Sequence, residues 1–118
     1  MNKLHVYTGK GYNFRHYNCW HHVRCVRNDV GLDTPEFDCV SLDLVDSTFE
    51  VAHEKSKGLQ QVDQPADYCA VLMKTKRGWH SGIYYDGMVS HCDREARQVR
   101  LDTLESINKI SLRVEFWR

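Results

Sequence analysis

Apolar positions follow two rhythms along the chain. Between residues 19 and 30, Cys19, Val23, Val26 and Val30 recur at helical spacing, Asn18 can cap the first turn, and Gly31 is a residue that commonly follows a helix. The spacing predicts a helix over 19–30 with Cys19 in its first turn. A second helix is expected from Ser47-Thr48-Phe49-Glu50, a capping-box pattern, until Gly58 stops it. After Pro65 the period shortens. Residues 68–73 form a short apolar run, 79–85 and 88–92 read as strands, and Asp86-Gly87 between them is a hairpin signal. Ile110, Leu112, Val114 and Phe116 alternate with Ser111, Arg113, Glu115 and Trp117, which predicts a half-buried strand. Helices first and an antiparallel meander afterwards give an α+β class. No repeat, low-complexity tract or Pro/Gly-rich linker divides residues 1–118, so a single domain is expected.

Composition narrows the chemistry. The 118 residues suffice for one core, with 42% apolar and 27% charged residues. No apolar run approaches the roughly 20 residues that cross a bilayer. Sixteen basic and sixteen acidic residues cancel, and the longest basic cluster is Lys74-Thr75-Lys76-Arg77, so neither nucleic acid nor a membrane is an expected partner. The opening Met1-Asn2-Lys3-Leu4-His5-Val6-Tyr7 has no apolar signal core, which predicts synthesis in the cytoplasm without a signal peptide. Five cysteines, an odd number, argue for reduced thiols rather than a disulfide framework, most of them packing as small hydrophobes.

One thiol stands apart. A cysteine attacks as thiolate, and a helix N-terminus or a neighbouring imidazolium favours that form. Cys19 meets the first condition. Cys25 falls mid-helix, Cys39 in a loop, and Cys69 and Cys92 on strands. A two-residue turn at Asp86-Gly87 pairs Tyr85 with Met88, Gly82 with His91 and His80 with Asp93, so His80, Gly82 and His91 share a sheet face. The two imidazoles are then diagonal neighbours, roughly 7–8 Å apart at the backbone, with Gly82 leaving room between them. His21 and His22, adjacent on the helix, cannot both face one site and are expected at the rim or in solvent.

Tyr17-Asn18-Cys19-Trp20-His21-His22-Val23, Pro65-Ala66-Asp67, His80-Ser81-Gly82-Ile83-Tyr84 and Met88-Val89-Ser90-His91 resemble, in order and spacing, the NlpC/p-sixty family of papain-like cysteine peptidases, its phage-tail branch above all. The resemblance spans roughly residues 9 to 104. It implies a papain-like NlpC-type fold in which Cys19 is the nucleophile, His80 the base and His91 the residue that orients the base, with no metal or organic cofactor. It adds an upstream tyrosine: Gly9-Lys10-Gly11-Tyr12 is similar to the family's Gly-x-x-Tyr, which makes Tyr12 the candidate, with Tyr7 the alternative. Asn18 and His21 depart from the family's aspartate and glycine and alter the rim of the cleft. The implied substrate is a peptidoglycan stem peptide, cut between γ-D-glutamate and a diamino acid. Phage-tail proteins are the implied partners, and delivery to the cell wall as a phage or prophage component the implied destination.

Two other classes fit parts of the sequence. A metal-binding module would use Cys19, His22, Cys25 and His91 or Cys92, although the spacing lacks paired C-x-x-C or H-x₃₋₅-H. A catalytically silent structural or tail-assembly protein would keep the fold with a blocked cleft.

Overall fold

The computed structural model describes residues 2–34 and 59–118; the helix expected before Gly58 and the loop position of Cys39 lie outside them. After a 3-10 turn over Lys3–Tyr7, the first helix, α1, spans Cys19–Asp29. Asn18 starts it: its side-chain oxygen accepts from the N–H groups of Trp20 and His21, both at 3.1 Å, while the His21 ring accepts from the Asn18 N–H. Histidine thus takes the part that glutamate plays in an ordinary capping box. Val30 caps the far end and Gly31 follows at φ 80°.

Six strands follow: β1 (Gln61–Val62), β2 (Ala70–Thr75), β3 (Gly78–Tyr85), β4 (Met88–Asp93), β5 (Gln98–Thr103) and, after the helix α2 (Leu104–Ile110), β6 (Arg113–Trp117). They form one antiparallel sheet in the order β1-β6-β2-β3-β4-β5. Asp86 and Gly87, at φ 45° and 82°, make the tight turn that their sequence predicts and pair Tyr85 with Met88. The β3–β4 ladder runs only as far as Ile83 opposite Ser90.

Alternation divides the core between two faces. On one, Cys19, Trp20 and Val23 of α1 pack on Ala70, Leu72 and Trp79, and Val26 packs with Leu4 and Ile83. On the other, Val71, Met73 and Val89 pack with Ile107 of α2, flanked by Leu104, Val114 and Phe116. The sheet therefore lies between two helices, and the class is α+β.

Three boundaries differ from the pattern. The expected strand over 110–117 is two elements. Thr103 caps α2 by accepting the Ser106 N–H, so Ile110 ends a helix and only Arg113 onward is extended. Ile110 and Leu112, 70% and 66% exposed, were never on a buried face, and their alternation with Val114 carried no packing information. The expected strand over 68–73 starts at Ala70, because Tyr68 sits at φ 64°. β5 was unforeseen: Val99 and Leu101 alone alternate between Gln98, Arg100 and Asp102.

Candidate functional site

Three consecutive strands each present one polar residue of a hydrogen-bonded set on the α2 face. His80 lies opposite Met73 on β3 and β2, His91 opposite Arg100 on β4 and β5, and Asp102 opposite Val89. Residues paired across a ladder share a face, so all three side chains emerge with Met73 and Val89, and they form one hydrogen-bonded chain. His80 Nε2 is 3.0 Å from His91 Nδ1, with the rings edge to face, and His91 Nε2 is 2.7 Å from Asp102 Oδ2.

The carboxylate dictates the protons. An ionised Asp102 only accepts, so His91 holds its hydrogen on Nε2 and, when neutral, accepts at Nδ1 from His80 Nε2–H. With its hydrogen on Nε2, neutral His80 carries its lone pair on Nδ1. Asp102 sits below the usual carboxylate range, first because His91 bonds its charged form and then because Arg100 approaches it at 3.4 Å. Burial pushes His91 below its ordinary value, the neighbouring His80 adds to that, and the bond to Asp102 opposes it. The net direction keeps His91 neutral, as an acceptor for His80 must be.

Gly82 makes the approach feasible. A Cβ there would stand 2.8 Å from Val89 Cγ1, 2.9 Å from the Ser90 carbonyl oxygen and 3.1 Å from His91 Cβ. At this level the ladder ends, and a cleft of about 520 Å³ holds His80 and His91 in its wall together with Trp79, Ile110, Lys76, Arg77 and Arg94. Arg77 is ion-paired with Glu95 across the mouth. Asp93, also in the wall, pairs with Arg100 at 3.6 Å.

Cys19 occupies the first position of α1, as expected, but in another environment. It is fully buried among Trp20, Val23, Ala70, Leu72 and Trp79. Leu72 pairs with Ser81 while Met73 pairs with His80, so the thiol and the imidazoles are anchored on the two faces of β3. The structure thus brings His80 and His91 together, adds Asp102, and sets Cys19 at the first position of α1 in the cluster that includes Trp79. Trp79 links the two settings: it packs in the Cys19 cluster, adjoins His80 in sequence and lines the cleft.

The two candidate tyrosines are held by different segments. Tyr12 donates its backbone N–H to the Arg97 carbonyl at 2.9 Å, at the turn between β4 and β5, and the Tyr7 hydroxyl donates to Asp29 at 2.6 Å. Burial and that carboxylate push the Tyr7 phenol up.

His22 corrects the expectation of a solvent or rim residue. It is fully buried, with one ring nitrogen 2.7 Å from the Tyr17 hydroxyl and the other 2.8 Å from Ser90 Oγ. Burial first, then the charges of His91, Lys10 and His80, lower it to about 3, so it stays neutral. The two partners satisfying this imidazole explain why it tolerates the interior; they come from a loop and from β4, which helical spacing alone does not register. With His22 committed to Tyr17 and Ser90, the metal set built on Cys19, His22 and Cys25 does not assemble. Among the described residues no group of three His, Cys, Asp or Glu side chains is placed to hold a metal ion.

Asp102 was missed at the sequence level. Its signal would have been a strand after the Arg94–Arg97 turn, which sets Asp102 diagonal to His91. No protein-family model, curated protein or solved structure matches the chain.

Proposed function

We propose that the chain is a thiol-dependent amide hydrolase with a papain-like NlpC-type fold, acting on peptidoglycan stem peptides. The observation that carries this reading is the chain His80–His91–Asp102, a base whose proton positions are fixed by an acid two residues away through hydrogen bonds. Such an arrangement serves general acid–base work and adds little to packing. In the reaction, His80 takes the Cys19 thiol proton and the thiolate attacks the amide carbonyl. His80 imidazolium then protonates the leaving amine, and water releases the acid from the thioester. Cys19 is the nucleophile because it alone of the described thiols opens a helix, where backbone N–H groups can hold the oxyanion of the attacked carbonyl. Lys76 and Arg94 in the cleft wall suit a substrate that carries carboxylates.

A direct test is digestion of purified peptidoglycan by the parent protein, Cys19→Ser and His80→Ala, with fragments identified by mass spectrometry. Release of peptides with a new diamino-acid amine by the parent alone is expected; undigested wall under all three overturns the substrate, and digestion by Cys19→Ser overturns the thiol.

The register favours one other reading. With His80 on the face opposite the Cys19 cluster, the base would activate a water in the cationic cleft without a thiol. Activity that survives Cys19→Ser and is lost in His80→Ala selects it.

A further inference from the structure

The two polar partners of the His22 ring join the two parts of the proposed site. Tyr17 lies two residues before Cys19, and its backbone is already fixed: its N–H donates to the Asn13 carbonyl at 2.8 Å, and its carbonyl accepts from Asn13 N–H at 3.0 Å and from the Cys92 thiol at 3.4 Å. Ser90 immediately precedes His91 on β4 and points to the α1 face as His91 points away. His22 spans the gap, and its ring packs edge to face on Tyr7 and Tyr17 at centroid distances of 5.7 and 5.6 Å. An aliphatic side chain would fill this space without the two hydrogen bonds. Ser90 Oγ, itself fully buried, would then lose its partner.

From this geometry we infer that His22 is a positioning residue, a neutral strut that sets the tip of α1, with Cys19, against the strand that carries His91. The inference rests on the thiol reading above. His22 transfers no proton in this role. It neither titrates near neutral pH nor touches the cleft, and its two ring nitrogens are spent on Tyr17 and Ser90. The consequence is a coupling, through β4, between the helix on one face of the sheet and the His91 imidazole on the other.

The experiment is a double-mutant cycle on thiol reactivity, read with iodoacetamide and peptide mapping in the full chain. In the parent, His80→Ala is expected to slow Cys19 alkylation at least tenfold. In His22→Phe, which fills the volume without the hydrogen bonds, the same His80→Ala change is expected to alter the rate by less than twofold. His22→Gln, which offers both a donor and an acceptor, is expected to restore most of the dependence. Circular dichroism confirms that each variant is folded. A folded His22→Phe protein that keeps the parent's dependence on His80 overturns the strut. If His80→Ala leaves even the parent rate unchanged, the thiol reading fails, and His22 is judged on β4 alone from ¹⁵N chemical shifts of the His91 ring. His22→Phe must move those shifts and His22→Gln must leave them near the parent values; shifts unmoved by His22→Phe overturn the proposal.

Discussion

His91 and Asp102 stand 2.7 Å apart, Nε2 to Oδ2, on a diagonal across β4 and β5. Removing the charge while keeping the shape separates orientation from electrostatics. Asp102→Asn can still accept from His91 through its amide oxygen, but it no longer stabilises an imidazolium. A fall in turnover of about 10- to 100-fold is expected, the range found when a hydrogen-bonded partner that supports a metal-ligating histidine is removed, with the fold retained. Steady-state rates beside thermal melts check it; an unchanged rate would reduce Asp102 to a surface partner of Arg100.

Acid should destabilise the fold in two windows. His22, depressed from 6.5 to about 3, stays neutral when native, whereas the unfolded chain protonates it below pH 6.5. The unfolded state then binds more protons, so stability is complete above 6.5 and declines as the pH falls toward 3. Lowered His91 acts in the same direction. Asp102, lowered from its ordinary 3.8, contributes above that value and loses its contribution only below it. From pH 7 to pH 4 the His22 share amounts to roughly 3 kcal/mol. Urea titrations at pH 7, 5.5 and 4 should show this slope flattened in His22→Gln; an equal slope in His22→Gln and the parent would show that His22 is not the group responsible.

Gly82 is a steric test of the relay. An alanine Cβ would sit 2.8–3.1 Å from Val89, Ser90 and His91, and two of these neighbours are a backbone oxygen and a Cβ that cannot swing aside. Gly82→Ala should cost about 1–3 kcal/mol, the range for overpacking a filled interior, and should weaken the His80–His91 contact. Chemical denaturation gives the first quantity and imidazole NMR the second. A neutral substitution would mean that β3 and β4 can separate freely at this level.

Asn18 serves the helix that carries Cys19. Asn18→Ala removes the acceptor for two N–H groups and should lower stability by about 1 kcal/mol, while Asn18→Asp should hold it or raise it, since a negative charge suits a helix N-terminus. Thermal melts at neutral pH distinguish the two variants. Equal stability of Asn18→Ala and the parent would show that the cap bonds exchange readily with water.

The parts of this architecture that were readable from sequence are those governed by neighbours a few residues away. Asp86-Gly87 specifies a turn with two positive φ angles, and that turn alone sets His80 and His91 on one face. Asn18 and Gly31 bracket α1 for equally local reasons. What escaped depended on distant partners. Asp102 is meaningful only after β5 pairs with β4, His22 is buried only because Tyr17 and Ser90 meet it, and Ile110 resembles a strand residue until Thr103 starts a helix before it. The face occupied by Cys19 is likewise a property of how α1 docks, which helical periodicity leaves open.

The strands β3, β4 and β5 follow one another in the chain as they do in the sheet. Its imidazoles and carboxylate therefore come together by closing two short turns, with little loop-closure entropy to overcome. Docking of α1 instead joins segments separated by most of the domain's length. The meander is thus suited to forming early in folding, with the thiol's helix arriving later on a sheet whose base is already aligned. Lengthening the connection between α1 and β1 should slow that arrival, at about 0.6 kcal/mol per doubling of its length, and leave the alignment of His80, His91 and Asp102 intact.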